Sequence, residues 1–144
     1  MTVIAWDGKT LAADKQCTIA DLRRTVTKVH RVGKCLVATT GSAAQGQEMV
    51  QWVRSGCKPE SFPESQRDKD DWAATVVVRA GPVLDLYERT PYPTRYEDKQ
   101  FAIGSGRDYA IAAMYLGKCA VDAVKIASEF DVHSGMGVDV LELK

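Results

Sequence analysis

The strongest constraint on the fold of this chain is a hairpin signal at its N-terminus. Two short apolar runs, Val3–Trp6 and Thr10–Ala13, flank an Asp7-Gly8 pair. Asp-Gly is a preferred two-residue type I′ turn, because its twist matches the twist of the strands that it joins. The predicted pairs are Trp6 with Lys9, Ile4 with Leu11, and Thr2 with Ala13. The hairpin therefore returns Asp14 to the start of the chain.

The rest of the chain alternates between short strand-like segments and three longer helix-like segments. The strand-like segments are rich in β-branched residues and are bounded by glycine or proline, whereas Ser42 is a helix N-cap candidate. Strands are predicted at 25–32, 35–39, 72–78, 83–87, 101–103 and 137–143, and helices at about 43–54, 107–116 and 120–130, with a loop at 57–71. This order, with no repeat or linker, predicts a single α+β domain spanning residues 1–144.

Composition excludes several function classes. Nineteen basic and nineteen acidic residues cancel among the 144, so the chain lacks the basic excess that is typical of nucleic-acid-binding proteins. No apolar run approaches the roughly 18–20 residues of a membrane span, and the N-terminus lacks the features of a secretory signal. We therefore expect a cytoplasmic protein that has neither nucleic acid nor a membrane among its partners.

The cysteines and histidines do not have the spacing of a metal site. The four cysteines form no C-x-x-C pair, and the chain has only two histidines, so we predict no metal and no cofactor. Reduced thiols are expected in the absence of an export signal. The cysteines that lie in apolar stretches, and that we interpret as small core residues, are Cys17, Cys35 and Cys119.

One set of residues could combine a nucleophile with its own base. If Met1 is removed, Thr2 carries both a hydroxyl and a free α-amine, and that amine can accept the hydroxyl proton. The ordinary pKa of an α-amine, about 8, suits this role near neutral pH. Lys28, on the same predicted strand face as Val26, would depress the pKa values of both groups, and Asp14 would pair with Lys28. The alternative is a strand-edge threonine, a turn aspartate and a surface lysine.

Two glycine-containing segments have weaker signals. Gly41 lies between a strand and a helix, where its N–H could stabilise an oxyanion or the glycine could simply allow a tight turn. Gly104-Ser105-Gly106 has a similar position, but it lacks the later features of a dinucleotide fingerprint. Ser105 is interpreted as a helix start or as part of a site formed elsewhere.

A third segment, near the C-terminus, combines an acid, a histidine and a serine. Asp131 and Ser134 are three residues apart, and they could hydrogen-bond a common target or form a helix exit. His133 lies between them, but the sequence has no G-x-S-x-G elbow. A serine-hydrolase triad is therefore not predicted.

Together these segments resemble the N-terminal nucleophile hydrolases of the proteasome β-subunit and HslV class. The resemblance covers nearly the whole chain in the right order, and its final segment is most similar to proteasome-like proteins of bacteriophages and prophages. The matching segments are Thr2-Val3-Ile4-Ala5, Leu11-Ala12-Ala13-Asp14, Thr27-Lys28-Val29, Gly41-Ser42-Ala43-Ala44-Gln45, 102–110 and 127–135.

The resemblance implies a four-layer αββα sandwich and a threonine-type peptidase. Thr2 would supply the nucleophile and the base, Lys28 would lower their pKa values, Asp14 would orient Lys28, and the N–H of Gly41 would stabilise the oxyanion. The residues implied to support the terminus are Ser105, Asp131 and Ser134. Those implied to hold a peptide as an added strand are Thr18 and Thr39, and those implied to lie near the pocket for the residue before the cleaved bond are Cys17, Val26, His30 and Ala43.

The resemblance also implies partners. We expect a peptide or unfolded-protein substrate, a homo-oligomeric ring, and an AAA+ unfoldase, in the cytoplasm of a bacterial or phage-infected cell. Because threonine is small, the host aminopeptidase is predicted to remove Met1. Two alternatives remain open: a catalytically silent ring-forming structural subunit of the same fold, and an amidase that acts on small molecules.

Overall fold

In the computed structural model, residues 2–67 and 73–144 are described. They form short antiparallel strands, three α-helices and two single turns of 3₁₀-helix at Pro59–Ser61 and Glu64–Arg67. The strands are β1 (Val3–Trp6), β2 (Thr10–Asp14), β3 (Gln16–Ile19), β4 (Leu22–Thr25), β5 (Val29–Val32), β6 (Cys35–Thr39), β7 (Thr75–Arg79), β8 (Val83–Tyr87), β9 (Thr94–Tyr96), β10 (Phe101–Gly104) and β11 (Val138–Glu142). The helices are α1 (Ala43–Arg54), α2 (Arg107–Tyr115) and α3 (Ala120–Phe130).

Two sheets lie face to face between helical layers. One sheet has the strand order β10-β1-β2-β11, the other has the order β5-β6-β7-β8-β9, and β3 pairs only with β4. Alternate residues of β1 explain the layers: Ile4 and Trp6 pack against the second sheet, whereas Val3 and Ala5 pack against α2 and α3. Helix α1 covers the outer face of the second sheet. The predicted αββα sandwich is confirmed.

The register of the first hairpin differs from the prediction. Ile4 pairs with Ala13 and Trp6 with Leu11, so the connection is longer than the two-residue turn that we expected. The Asp7 carboxylate explains the longer connection, because it accepts hydrogen bonds from the N–H groups of Lys9 and Thr10 at 3.0 and 2.8 Å. The shift is an even number of residues and leaves every side chain on its predicted face.

The segment predicted as one strand at 25–32 is two strands. Its first residue, Thr25, is the last residue of β4, which pairs with β3 in a hairpin that was not predicted. Its second part, from Val29 to Val32, is β5. The chain leaves the strand conformation between Val26 and Lys28. Lys28 therefore lies in the short connection between β4 and β5. The prediction that it shares a continuous strand face with Val26 is wrong.

Most other boundaries agree with the sequence analysis. Helix α3 has its predicted bounds, and α1 begins after Ser42, whose side chain accepts a hydrogen bond from the N–H of Gln45. Strand β9 was not predicted, and Trp72, the expected first residue of β7, lies outside the described residues. Cys119 is exposed rather than a core residue, because it precedes α3 at the surface.

Candidate active site

The site forms where β1 begins and β2 ends. Because the two strands are antiparallel, Asp14 arrives beside Thr2, and the Thr2 hydroxyl donates a hydrogen bond to Asp14 Oδ1 at 2.6 Å. Lys28 completes the group: its Nζ lies 2.7 Å from Thr2 Oγ1 and 2.8 Å from Asp14 Oδ1. All three residues are buried, with Thr2 only 1% exposed. The structure therefore brings together the three residues of the first candidate set.

Asp14 is held by backbone donors as well as by Lys28. The N–H of Val3 donates to its Oδ1 at 3.1 Å, and the N–H groups of Gln16 and Gly135 donate to its Oδ2 at 3.2 and 3.0 Å. Hydrogen bonds to a carboxylate are about twice as strong as those between neutral groups. This shell fixes the position of the carboxylate and therefore of the ammonium group paired with it.

Lys28 is a cation in a poorly solvated place. Burial lowers its pKa from the ordinary value, and the charge and hydrogen bond of Asp14 oppose that shift without cancelling it. The ammonium of Lys28 directs a positive charge at Thr2 Oγ1 from within hydrogen-bonding distance. Such a charge stabilises a developing alkoxide at that oxygen.

A second polar group supports the backbone of Thr2. Ser105 Oγ lies 3.2 Å from the Thr2 carbonyl oxygen and 2.6 Å from Asp131 Oδ2, and the N–H of Gly106 donates to the same carbonyl at 3.2 Å. The Ser134 hydroxyl donates to Asp131 Oδ2 at 2.6 Å. The structure thus joins Ser105 to Asp131 and Ser134, which were predicted from two separate segments.

Asp131 is the centre of this second group. Partial burial alone would raise its pKa, but hydrogen bonds from Ser105, Ser134 and the N–H of His133 outweigh that effect and lower it. The carboxylate is therefore the stable form around neutral pH. Asp131 stays an acceptor for the hydroxyls of Ser105 and Ser134.

Thr2 opens into a cleft of about 580 Å³ between the two sheets' ends. Its lining includes every residue that was predicted to bind substrate, namely Cys17, Thr18, Val26, His30, Thr39 and Ala43, and it also includes Gly41 and His133. Both histidines of the chain therefore line this cleft. Burial, with a smaller effect from Arg54, lowers the pKa of His30 and keeps its imidazole neutral at pH 7.

Gly41 lies on this cleft in a conformation that side chains rarely adopt. Its φ is +87°, and an added Cβ would lie 2.7 Å from the Cβ of Ala73. Both observations require glycine at this position. Because α1 starts directly after it, the positive end of the α1 dipole lies behind its backbone.

Sequence reasoning missed Gln16 as part of the site. This residue is 4% exposed, and its side-chain amide donates to the carbonyl of Val132 at 3.2 Å, which ties β3 to the segment that carries Asp131. The sequence offers one signal: Gln16 is a polar residue only two positions after the candidate carboxylate Asp14. Its partner, however, is more than 100 residues away in the chain.

The described residues offer neither a metal site nor a membrane-spanning helix. No cluster of three or more His, Cys, Asp or Glu side chains within 2–67 and 73–144 could hold a metal ion. None of the helices in that part of the chain is long and apolar enough to cross a membrane.

Comparison with known proteins identifies the fold. No protein-family profile and no curated protein matches the sequence. A structure of Thiobacillus denitrificans BPH in complex with Epoxomicin matches with a TM-score of 0.72 and 22% identity over 100% of both chains. HslV from Trypanosoma brucei matches with a TM-score of 0.70 and 22% identity, over 99% of this chain and 98% of the other. The chain thus has an HslV-like N-terminal nucleophile hydrolase fold.

Proposed function

We propose that this chain is a threonine-type peptidase, an amide-bond hydrolase whose nucleophile is Thr2 after removal of Met1. One observation carries the proposal: the Thr2 hydroxyl contacts both an ammonium and a carboxylate, at 2.7 and 2.6 Å, inside a cleft. Burying such an ion pair costs several kcal/mol per ion before its attraction is counted. A threonine with only a structural role needs neither partner, so the arrangement favours a chemical role.

The proposed reaction begins with proton transfer from the Thr2 hydroxyl to the α-amine of the same residue. Oγ1 then bonds to the carbonyl carbon of the substrate, while the carbonyl electron pair moves to oxygen and is stabilised by the N–H of Gly41. The carbon–nitrogen bond breaks, and the leaving amine takes the proton held by the Thr2 ammonium. Water hydrolyses the resulting ester and regenerates Thr2.

The other predicted residues have supporting roles in this proposal. Lys28 stabilises the negative charge that develops on Oγ1, and Asp14 positions Lys28. The Ser105–Asp131–Ser134 group holds the backbone of Thr2 so that its hydroxyl and amine stay aligned with the substrate. Two separate hydrogen-bonded groups therefore act on one residue, one on its side chain and one on its main chain.

A peptide or unfolded protein is the substrate class that the cleft favours. Thr18 on β3 and Thr39 on β6 both line the cleft, where an extended peptide can bind as an added strand. The neutral His30 and three small or apolar neighbours, Cys17, Val26 and Ala43, would form the pocket for the residue before the cleaved bond. We expect this pocket to prefer uncharged side chains.

The proposal extends to assembly. One structural neighbour is HslV from Trypanosoma brucei. The resemblance to that class implies a ring that works with an AAA+ unfoldase. We therefore propose a homo-oligomeric ring as the active form. All four cysteines are free, which agrees with a reducing cytoplasm as its location.

The test combines intact mass with covalent labelling. We expect the purified protein to lack Met1 and to gain one inhibitor mass at Thr2 when treated with a threonine-directed electrophile. Epoxomicin, which one structural neighbour holds, and a β-lactone are suitable probes. The matched control is Thr2→Val, which keeps the shape of the side chain and removes the hydroxyl. A processed wild-type protein that takes up neither probe would contradict the peptidase and favour the silent ring subunit.

A further inference from the structure

Two thiols meet at one arginine on the far side of the second sheet from Thr2. On β7, Arg79 points to the same face as Val77, which is the face that α1 covers. Arg79 Nη1 lies 3.9 Å from Sγ of Cys35, and Nη2 lies 3.7 Å from Sγ of Cys57. Both cysteines are half-buried and neither is in a disulfide. Residues that are distant in sequence thus place two thiols against a single planar group.

Other contacts fix the position of this guanidinium. Arg79 Nε donates to Asp85 Oδ2 at 3.0 Å, and Nη2 donates to the hydroxyl of Tyr87 at 2.9 Å. Asp85 is 1% exposed and also accepts two hydrogen bonds from Arg95, at 2.8 and 3.0 Å. Burial would lower the pKa of Arg79, but hydrogen bonds with Cys57 and Asp85 raise it above the ordinary value. The thiols therefore face a permanent, immobilised cation.

The backbone turns Cys57 into this cluster. The residue has a φ of +56°, in the left-handed region, directly after Gly56 with a φ of +105°. A non-glycine residue is strained in that region. The turn is held by hydrogen bonds from the N–H of Cys57 to the Trp52 carbonyl at 3.2 Å and from Trp52 Nε1 to the Lys58 carbonyl at 2.9 Å. Contacts around Cys57 thus compensate for an unfavourable backbone conformation.

We propose that Cys35 and Cys57 are a reversible oxidation site, where a peroxide converts the two thiols into one disulfide. One sulfur, as a thiolate, attacks a peroxide oxygen: a sulfur–oxygen bond forms, the oxygen–oxygen bond breaks, and water leaves after protonation. The second sulfur then displaces the hydroxyl of this sulfenic acid as water and forms the sulfur–sulfur bond. The two thiols lose two electrons in total, and hydrogen peroxide is reduced to two molecules of water.

The placement of the cluster supports reaction at these two cysteines in preference to the others. Thiol oxidation proceeds through the thiolate, which an adjacent arginine stabilises, and Arg79 contacts both sulfurs. Cys119 lies exposed at the N-terminus of α3, outside this cluster, and serves as the comparison thiol in the test. Cys57 lies between α1 and the first 3₁₀ turn rather than in a helix or strand, and the proposed reaction requires its sulfur to reach that of Cys35.

Disulfide formation would join the turn after α1 to the first residue of β6. The bond would close a loop that contains the whole of α1, and such a closure restricts the unfolded chain. We therefore expect the oxidised protein to unfold at a higher temperature than the reduced protein. The effect should be reversed by a thiol reductant.

The test is peptide mapping after oxidation of the full chain. Wild-type protein is treated with hydrogen peroxide under native conditions, quenched by alkylation, and digested without reductant. We expect a Cys35–Cys57 linked peptide within each chain, which disappears after treatment with dithiothreitol. In Cys35→Ser, Cys57 should instead be trapped as a sulfenic acid by dimedone, whereas the matched control Cys119→Ser should form the linked peptide as the wild type does.

A third variant, Arg79→Gln, separates the role of the arginine from simple proximity. Arg79→Gln removes the cation and should slow formation of the linked peptide at least tenfold, with circular dichroism used to confirm that the fold is kept. The proposal is overturned if no linked peptide forms, or if Cys57 is oxidised no faster than Cys119 in the same sample. Neither result depends on labelling of Thr2, so the outcome is independent of the proposed peptidase activity.

Discussion

At the scale of single residues, the site depends on one buried cation that touches both a hydroxyl and a carboxylate. Lys28 would be costly to bury alone, and so would Asp14, which is 0% exposed and forms its ion pair with Lys28 at 2.8 Å. Each member of the pair is therefore stable in its position because the other is present. The hydroxyl of Thr2 contacts both the ammonium of Lys28 and the carboxylate of Asp14.

Replacing Lys28 by alanine tests this arrangement. In Lys28→Ala we expect labelling of Thr2 by Epoxomicin or a β-lactone to slow by about 100-fold or more, because the charge that stabilises the developing alkoxide is lost. The measurement is the rate of mass gain of the processed protein. Lys15→Ala is the matched control, since Lys15 follows Asp14 directly but pairs with Asp139 at 2.8 Å. Equal labelling of Lys28→Ala and wild type would refute the role of Lys28.

The lowered pKa of Asp131 gives a second prediction, on stability and pH. A carboxyl whose pKa is lower in the folded state stabilises the fold above its unfolded pKa of about 3.9, and this contribution is lost as the pH falls through the folded pKa. We therefore expect Asp131→Asn to be less stable than wild type at pH 7, with the difference shrinking below about pH 4. Thermal unfolding from pH 7 to pH 3 measures it.

Asp108→Asn is the control for that series, because Asp108 lies in the first turn of α2 with its side chain 88% exposed. Its difference from wild type should change much less over the same range. A stability difference for Asp131→Asn that stays constant down to pH 3 would contradict the assigned ionisation.

At the scale of secondary-structure elements, the site depends on how strands end. Thr2 precedes β1, Asp14 ends β2, and Gly41 follows β6 before α1 begins. At strand ends the backbone N–H and C=O groups no longer hydrogen-bond to a neighbouring strand, so they are available to other partners. The cleft therefore lies at the ends of both sheets.

Two glycine-to-alanine substitutions test whether the connection between β6 and α1 requires glycine at position 41. Gly41→Ala and Gly33→Ala both place alanine at a positive φ, +87° and +59°, but only at Gly41 does the new Cβ meet an atom, 2.7 Å from the Cβ of Ala73. We expect Gly33→Ala to cost about 1–2 kcal/mol from backbone strain alone, and Gly41→Ala to cost more. Urea unfolding measures both.

Covalent labelling of the same two variants adds a functional readout. Gly41→Ala should also label slowly at Thr2, because the clash with Ala73 would displace the N–H that is proposed to stabilise the oxyanion, whereas Gly33→Ala should label at the wild-type rate. If the two variants lose equal stability and label equally, the packing of Gly41 has no role in the site.

The helices could be predicted from the sequence more accurately than the turns and interruptions between strands. Helices α1 and α3 were predictable because the Ser42 cap and the run before Asp131 are local signals. The β3–β4 hairpin and the break before Lys28 were not, because β-branched residues continue across the break without a glycine or proline. The residues of the site were found largely through the resemblance, since the contact between Ser105 and Asp131 joins segments that no local pattern relates.

At the scale of the whole molecule, the outer face of α2 and α3 leaves large apolar side chains uncovered. Tyr115 and Leu116 are 85% and 81% exposed, and Tyr109 stacks on Phe130 with a ring-centroid distance of 5.5 Å. Exposed apolar patches commonly mark contacts between proteins. This face is therefore a candidate for contact between subunits in the proposed ring.

Charged substitutions on this face test the proposed assembly. We expect wild-type protein to sediment as a homo-oligomer at micromolar concentration, and the double variant Tyr115→Glu, Leu116→Glu to shift towards monomer because it places charges in an apolar contact. Tyr92→Glu is the control, since Tyr92 is 72% exposed on the connection between β8 and β9. A wild-type monomer at that concentration would contradict the ring.

The burial of Thr2 also constrains the order of events in the life of the protein. An aminopeptidase that removes Met1 must bind the bond between residues 1 and 2, yet Thr2 is 1% exposed and its carbonyl is held by Ser105 and Gly106. We therefore expect processing to precede folding, while the nascent chain is still extended. In the proposed mechanism, a molecule that folds before it is trimmed would keep its methionine and would therefore lack the free amine that serves as the base.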